Sequence, residues 1–199
     1  MIGIDTSAEH VLEDDAVLLR PLAANDHEHL LPFALNEPEI WKYSLQRAIG
    51  PQGLATYLRT ALEARAKGIE YPFIVFDKRT GAYAGSTRFY DINSDFGTAQ
   101  LGYTWYGKAF QGTGLNKHCK FLLLRFAFET CGLERVEFRA DANNARSIAA
   151  MKRIGCTEEG ILRSHMPDAD GGRRSSIVLS ILRDEWHDRV KAALSSQLS

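Results

Sequence analysis

The chain predicts an α+β fold: a mostly antiparallel, twisted sheet of six to seven strands with helices on both faces. Three observations carry that expectation. A strand, a glycine loop and a helix follow one another from Leu101 to Cys131; three closely spaced strands lead up to that helix; and a strand, a helix and an antiparallel strand pair come after it. At 199 residues the chain can bury one sizeable core and is short for two, so residues 1–199 are read as a single domain.

Taken in order, Val17 to Leu22 is a short strand broken by Pro21. Asn25 or Asp26 can cap the next helix, whose apolar side is Leu30, Leu31, Phe33 and Ala34. Pro38 opens a short helical piece from Glu39 to Ser44, and Gly50 to Gly53 reads as a turn. Leu54, Tyr57, Leu58, Ala61 and Leu62 then recur at helical spacing up to Gly68. Tyr71 to Asp77 is nearly continuous apolar, as a central strand is. Lys78 to Gly81 is a tight turn, and Ala84 to Ile92 is the returning strand. Leu101 to Tyr106 is the third strand. Leu115, Cys119, Leu122, Leu123, Phe126 and Ala127 mark the face of a helix that Gly132 stops. Arg135 to Ala140 alternates strictly and is a half-buried strand. Asn143 to Ile154 is a helix, Thr157 to His165 and Ser175 to Leu182 are paired strands, and Asp184 to Leu194 is an amphipathic helix.

Composition excludes several classes. With 24 basic and 25 acidic residues the net charge is −1, so no overall field recruits nucleic acid or an anionic membrane. The three cysteines, Cys119, Cys131 and Cys156, lack CxxC pairing and read as small buried residues in a reducing compartment. The acidic N-terminal stretch lacks an apolar segment, and the expected location is the cytoplasm.

Gln111, Gly112, Thr113 and Gly114 open the central helix. Such a loop leaves N–H groups unpaired at the positive end of the helix dipole, which suits a phosphate, although Gly-x-Gly can also simply turn a chain. No Lys-Ser/Thr follows the second glycine and position 117 is Lys, so neither a triphosphate-binding loop nor a dinucleotide fingerprint is present.

The element order, with three groups of motifs, resembles the GNAT superfamily of N-acetyltransferases, and within it the RimJ/RimL-type (ribosomal-protein-alanine N-acetyltransferase-like) branch. The first group is Gln111 to Asn116 with Phe126 to Leu133. The second is Arg135 to Asp141 with Asn144 to Ser147 and Arg153 to Gly155. The third is Glu159 to His165 with Ser180 to Leu182, Glu185 and Trp186. The likeness covers about residues 100 to 187. One departure stands out: the family's loop begins with Arg or Gln three residues before the first glycine, and here that position is Ala109, with Gln111 offset.

The resemblance implies a GNAT fold and acetyl-CoA as co-substrate, with no metal. The acceptor is a primary amine, on a protein N-terminus or a small molecule, attacked directly in a ternary complex. It implies that Tyr103, Thr104 and Trp105 pair with the pantetheine arm, and that Gln111, Gly112, Thr113, Gly114, Leu115 and Asn116 surround the pyrophosphate. Asn144 would reach the arm from the far side, where its own sequence context equally suits helix capping. Ser147 is the candidate for the leaving thiolate and His165 the candidate base, with Glu158, Glu159 and Asp91 behind it. Glu37 and Trp41, with Glu39 and Tyr43, are placed either in an acceptor groove or, equally, in a helix–helix contact. Partners are expected to be acetyl-CoA and the amine, with a homodimer allowed, and neither nucleic acid nor membrane. A non-catalytic acyl-CoA-binding sensor is the other class these motifs permit.

Overall fold

The computed structural model describes residues 3–198. Eight strands form one sheet: β1 (Leu12–Glu13), β2 (Val17–Pro21), β3 (Glu70–Asp77), β4 (Ala82–Asn93), β5 (Thr98–Tyr106), β6 (Arg135–Asp141), β7 (Thr157–Pro167) and β8 (Arg173–Leu182). Their order across the sheet is β1-β2-β3-β4-β5-β6-β8-β7, and every pairing is antiparallel except β5 with β6. The strand beyond the expected six to seven is β1, two residues long and too short to show periodicity.

The helices are α1 (His27–Asn36), α2 (Gly50–Ala66), α3 (Leu115–Arg125), α4 (Ala145–Arg153), α5 (Arg183–Glu185) and α6 (Lys191–Ser195). A π turn at Phe126–Thr130 extends α3, and another at Trp186–Val190 joins α5 to α6. Two sequence expectations shift. Gly50 to Gly53 is the first turn of α2 and not a separate turn, because a proline in the first positions of a helix loses no hydrogen bond. Asp26 caps the 3₁₀ turn Ala24–Asp26 and not α1: its carboxylate accepts from the Ala23 N–H and from Arg20.

The sheet separates two cores. On one face α3, its π turn and the C-terminal helix cover Val17, Leu19, Phe73, Val75, Phe89 and Leu101. On the other, α1 and α2 bury Leu30, Trp41, Leu54, Tyr57 and Leu58 against Ile74 and Trp105. Strand β3 contributes to both, which is why its sequence shows no alternation. Strand β6 alternates as expected: Val136, Phe138 and Ala140 face the first core, while Arg135, Glu137 and Arg139 form a chain of ion pairs on the other side.

The feature that positions the site is the seam between β5 and β6. Their parallel pairing runs only through Thr98↔Arg135, Ala99↔Val136 and Gln100↔Glu137. Beyond it β5 continues to Tyr106 beside β4, and β6 continues to Asp141 beside β8. Residues 101–106 and 138–141 therefore present facing edges that do not pair with each other.

Candidate active site

Strand β5 bends as it leaves the seam. Ser86 pairs with Trp105 and Arg88 with Gly102, so Tyr103 and Thr104 together stand opposite Thr87. Tyr103 takes φ 47°, a left-handed conformation that a tyrosine adopts only under constraint from its surroundings. The bulge turns the Tyr103 ring toward α2, against Tyr90 and over the Arg88 guanidinium at 4.1 Å. Thr104 turns the other way, with its hydroxyl 2.7 Å from that of Thr87 and 3.0 Å from Lys120 Nζ. Trp105 is buried, donates to Tyr57 Oη, and packs on Trp41.

The glycine loop follows. Gly112 and Gly114 have φ 80° and 89°, so both need the left-handed region that glycine enters freely. A Cβ on either would meet nothing within 4 Å: the glycines set backbone direction, and the space beside them is open. The N–H groups of Gly112, Gly114 and Asn116 reach no acceptor among the described residues, while the Leu115 N–H has only a long contact, 3.4 Å, to Thr113 Oγ1. Leu115 itself is buried in the core, and Asn116 Oδ1 accepts from Tyr106 Oη.

Cations surround this loop. Arg79, on the β3–β4 turn, donates to the Thr113 carbonyl and pairs with buried Asp77. Arg146 of α4 donates to Gln111 Oε1 at 2.6 Å, while Gln111 Nε2 donates to the Tyr106 carbonyl at 2.7 Å. Gln111 is thus a brace between α4 and the end of β5. Sequence reasoning missed Arg79 and Arg146 in this setting. Arg146 lies inside a quoted motif, but nothing local to it signals a loop 35 residues away.

On the far side of the seam, Asn144 is the N-cap of α4, its Oδ1 accepting from the Ser147 N–H at 3.1 Å. Ser147 is half-buried one turn into the helix. His165 lies near the end of β7, half-buried, with Nδ1 3.2 Å from Ser176 Oγ. Among the described residues no hydrogen bond joins Ser147 to His165. The other carboxylates named as bases are engaged: Glu158 by Lys152, Asp91 by Gln100, and Glu159 by Arg135 and Ser180. The hydrogen bond from Arg135 is the main reason the Glu159 carboxyl stays below the usual range.

The acceptor groove needs correction. Trp41 is fully buried against Trp105, so it packs the helices together and offers no exposed wall. Glu37 accepts from the Lys108 N–H at 2.7 Å, and Glu39 pairs with the Lys108 side chain. Both carboxylates anchor the segment that leads into the glycine loop. Farther along, a cavity of about 170 Å³ opens between the α1–α2 connection and the β7–β8 turn, with Tyr43, Arg47, Asp141, Asp170 and Arg174 among its walls.

The three thiols are buried, and desolvation pushes each of Cys119, Cys131 and Cys156 up to about 12, so none is a thiolate at neutral pH.

The sequence and the fold are similar to those of known proteins. The acetyltransferase (GNAT) domain family matches residues 16–157. A Bacillus subtilis (strain 168) protein provisionally named ribosomal N-acetyltransferase YdaF is 28% identical over 180 residues, spanning 87% of this chain and 94% of its own. A provisionally assigned acetyltransferase from T. thermophilus superposes with TM-score 0.83 at 31% identity, over 96% of this chain and 97% of that one. A GCN5-related N-acetyltransferase from Brucella melitensis shares the fold with TM-score 0.90 at 23% identity, over 100% and 90% of the two chains.

Proposed function

The chain belongs to the GNAT acetyltransferase family and is an N-acetyltransferase, and from that premise we propose that it moves the acetyl group of acetyl-CoA to a primary amine by direct attack in a ternary complex. The observation that carries this reading is the unpaired seam. Two strand edges diverge after Gln100 and Glu137, and the β5 edge leads to a left-handed glycine loop with free N–H groups, flanked by Arg79 and Arg146. An extended, amide-bearing arm fits the β5 edge by adding hydrogen bonds where a strand is missing. Its diphosphate fits the N–H groups of Gly112, Gly114, Leu115 and Asn116. Bound there, acetyl-CoA supplies an activated thioester.

The chain's own groups do the rest. One main-chain N–H among Tyr103, Thr104 and Trp105 is assigned to stabilise a developing oxyanion. Asn144 caps α4 through the Ser147 N–H, and the Ser147 hydroxyl is assigned as donor to the departing sulfur. His165, with Nδ1 tied to Ser176, keeps Nε2 for the proton of the incoming amine. Neutral, buried thiols favour direct attack over an acyl-enzyme. The acceptor is a protein N-terminus or a small amine; the name of the Bacillus subtilis relative favours the former.

Release of thiol from acetyl-CoA across a panel of peptides and small amines tests the reading. Amine-dependent release is expected, and tight coenzyme A binding without turnover on any amine would leave only the sensor. Ser147→Ala and His165→Ala are each expected to lower turnover about a hundredfold. Wild-type rates at saturating substrate in either variant remove that residue from the reaction.

A further inference from the structure

Helix α3 buries a lysine beside the seam. Lys120 is 5% exposed, and among the described residues Nζ has one hydrogen-bond partner, Thr104 Oγ1 at 3.0 Å. It also stands over the Phe138 ring, 5.7 Å from the centroid. Thr104 belongs to β5 and Phe138 to β6, both past the last paired residues, so the ammonium spans the diverging edges on the α3 side. An ammonium has three N–H donors, and Thr104 takes one. The remaining two are buried without an acceptor, a costly arrangement unless something else enters the gap.

Among the described residues no carboxylate pairs with this ammonium. The titratable groups acting on Lys120 are Cys119 on its own helix and Cys156 just before β7, both uncharged thiols. Tyr106, on β5, is likewise held neutral by burial. Desolvation accordingly brings Lys120 down to about 8, so the ammonium persists at neutral pH but is easily lost above it.

We propose that Lys120, held by Thr104, is a binding residue for the acyl carrier, its ammonium donating to a carbonyl oxygen of the amide-bearing arm laid in the β5–β6 gap. This rests on the acetyl-CoA reading and deepens it: the loop recognises the diphosphate, whereas Lys120 recognises the arm. A lysine in this role discriminates the whole carrier from a nucleotide that shares only its phosphates.

Calorimetric titration with two ligands separates these contributions: coenzyme A, and 3′-phosphoadenosine 5′-diphosphate, which keeps the diphosphate and lacks the arm. Lys120→Met keeps the volume and removes the charge. It is expected to weaken coenzyme A about tenfold or more while leaving the nucleotide within about twofold. Wild-type affinity for coenzyme A is expected to fall between about pH 7 and about pH 9.5, with Lys120→Met flat over the same range. Should that variant not fold, Lys120→Gln serves the same comparison, and the wild-type pH series needs no variant at all. Equal losses for both ligands, or an unchanged coenzyme A affinity in a folded Lys120→Met protein, overturn the assignment while the acetyl-CoA reading stands. A wild-type protein that binds no coenzyme A overturns both.

Discussion

Lys120 also makes a statement about stability. Burial lowers its folded pKa from 10.5 to about 8, so the folded state disfavours the charged form. Below about pH 8 the group is charged in both states and the penalty is complete. Between about 8 and 10.5 the folded protein loses the proton before the unfolded chain does, and stability rises with pH. Lys120→Met removes that dependence. Near pH 7 the ligand-free variant is expected to be the more stable, by on the order of 3 kcal/mol before any packing loss. Urea titrations of both proteins at several pH values check this. A difference that does not narrow as pH rises sinks it. The residue was not legible in the sequence: Cys119 and Leu123 mark the apolar stripe, and a lysine next to it reads as solvated. By contrast the burial of all three cysteines was legible from residue type alone. The glycine loop was legible in part. Its spacing revealed the turn, but the reason for glycine is the positive φ at 112 and 114 and not crowding.

At the scale of elements, the β4–β5 pair is held at unusually close quarters. A Cβ at Gly85 would lie 2.1 Å from the Trp105 carbonyl oxygen, and Gly85 has φ 154°. Gly85→Ala must therefore push the strands apart just past the β5 bulge. A loss of about 3 kcal/mol or more in chemical denaturation is expected. Near wild-type stability would mean that the bulge absorbs the displacement. Most of the longer strands and α1 to α4 followed from periodicity because each has one dominant buried face or is buried throughout, whereas β7 carries no buried residue. What periodicity could not show were departures of a single residue per turn. The π turns at Phe126–Thr130 and Trp186–Val190 carry ordinary helical sequences, and the bulge at Tyr103 and Thr104 sits inside an ordinary strand. The burial of Trp41 was hidden for a related reason: it lies on a connection whose path depends on Trp105, far along the chain.

Over the whole molecule, the candidate site belongs to neither half of the sheet. One edge comes from the strands before α3 and the other from those after it, and the loop that faces both is braced by Arg79 and Arg146 from opposite sides. Hydrogen exchange of the ligand-free protein should show the amides of residues 101–106 and 138–141 that point at the seam exchanging faster than those of 98–100 and 135–137. Saturating coenzyme A should slow the former set and raise the melting temperature, with about 2.7 kcal/mol gained at a hundred times the dissociation constant. Protection that is already uniform without ligand would mean that the edges are closed in solution. The order of elements was readable from the sequence because each declares itself locally. The divergence came only through the family resemblance, since it is a relation between two strands separated by a helix and has no local signal.

Only three residue pairs tie β5 to β6. The sheet is therefore two leaves on a short spine, and past that spine Lys120 of α3 reaches both, Thr104 on one leaf and Phe138 on the other. Beyond those rungs the register of β5 with β6 ends, so the angle at the mouth is left to side chains.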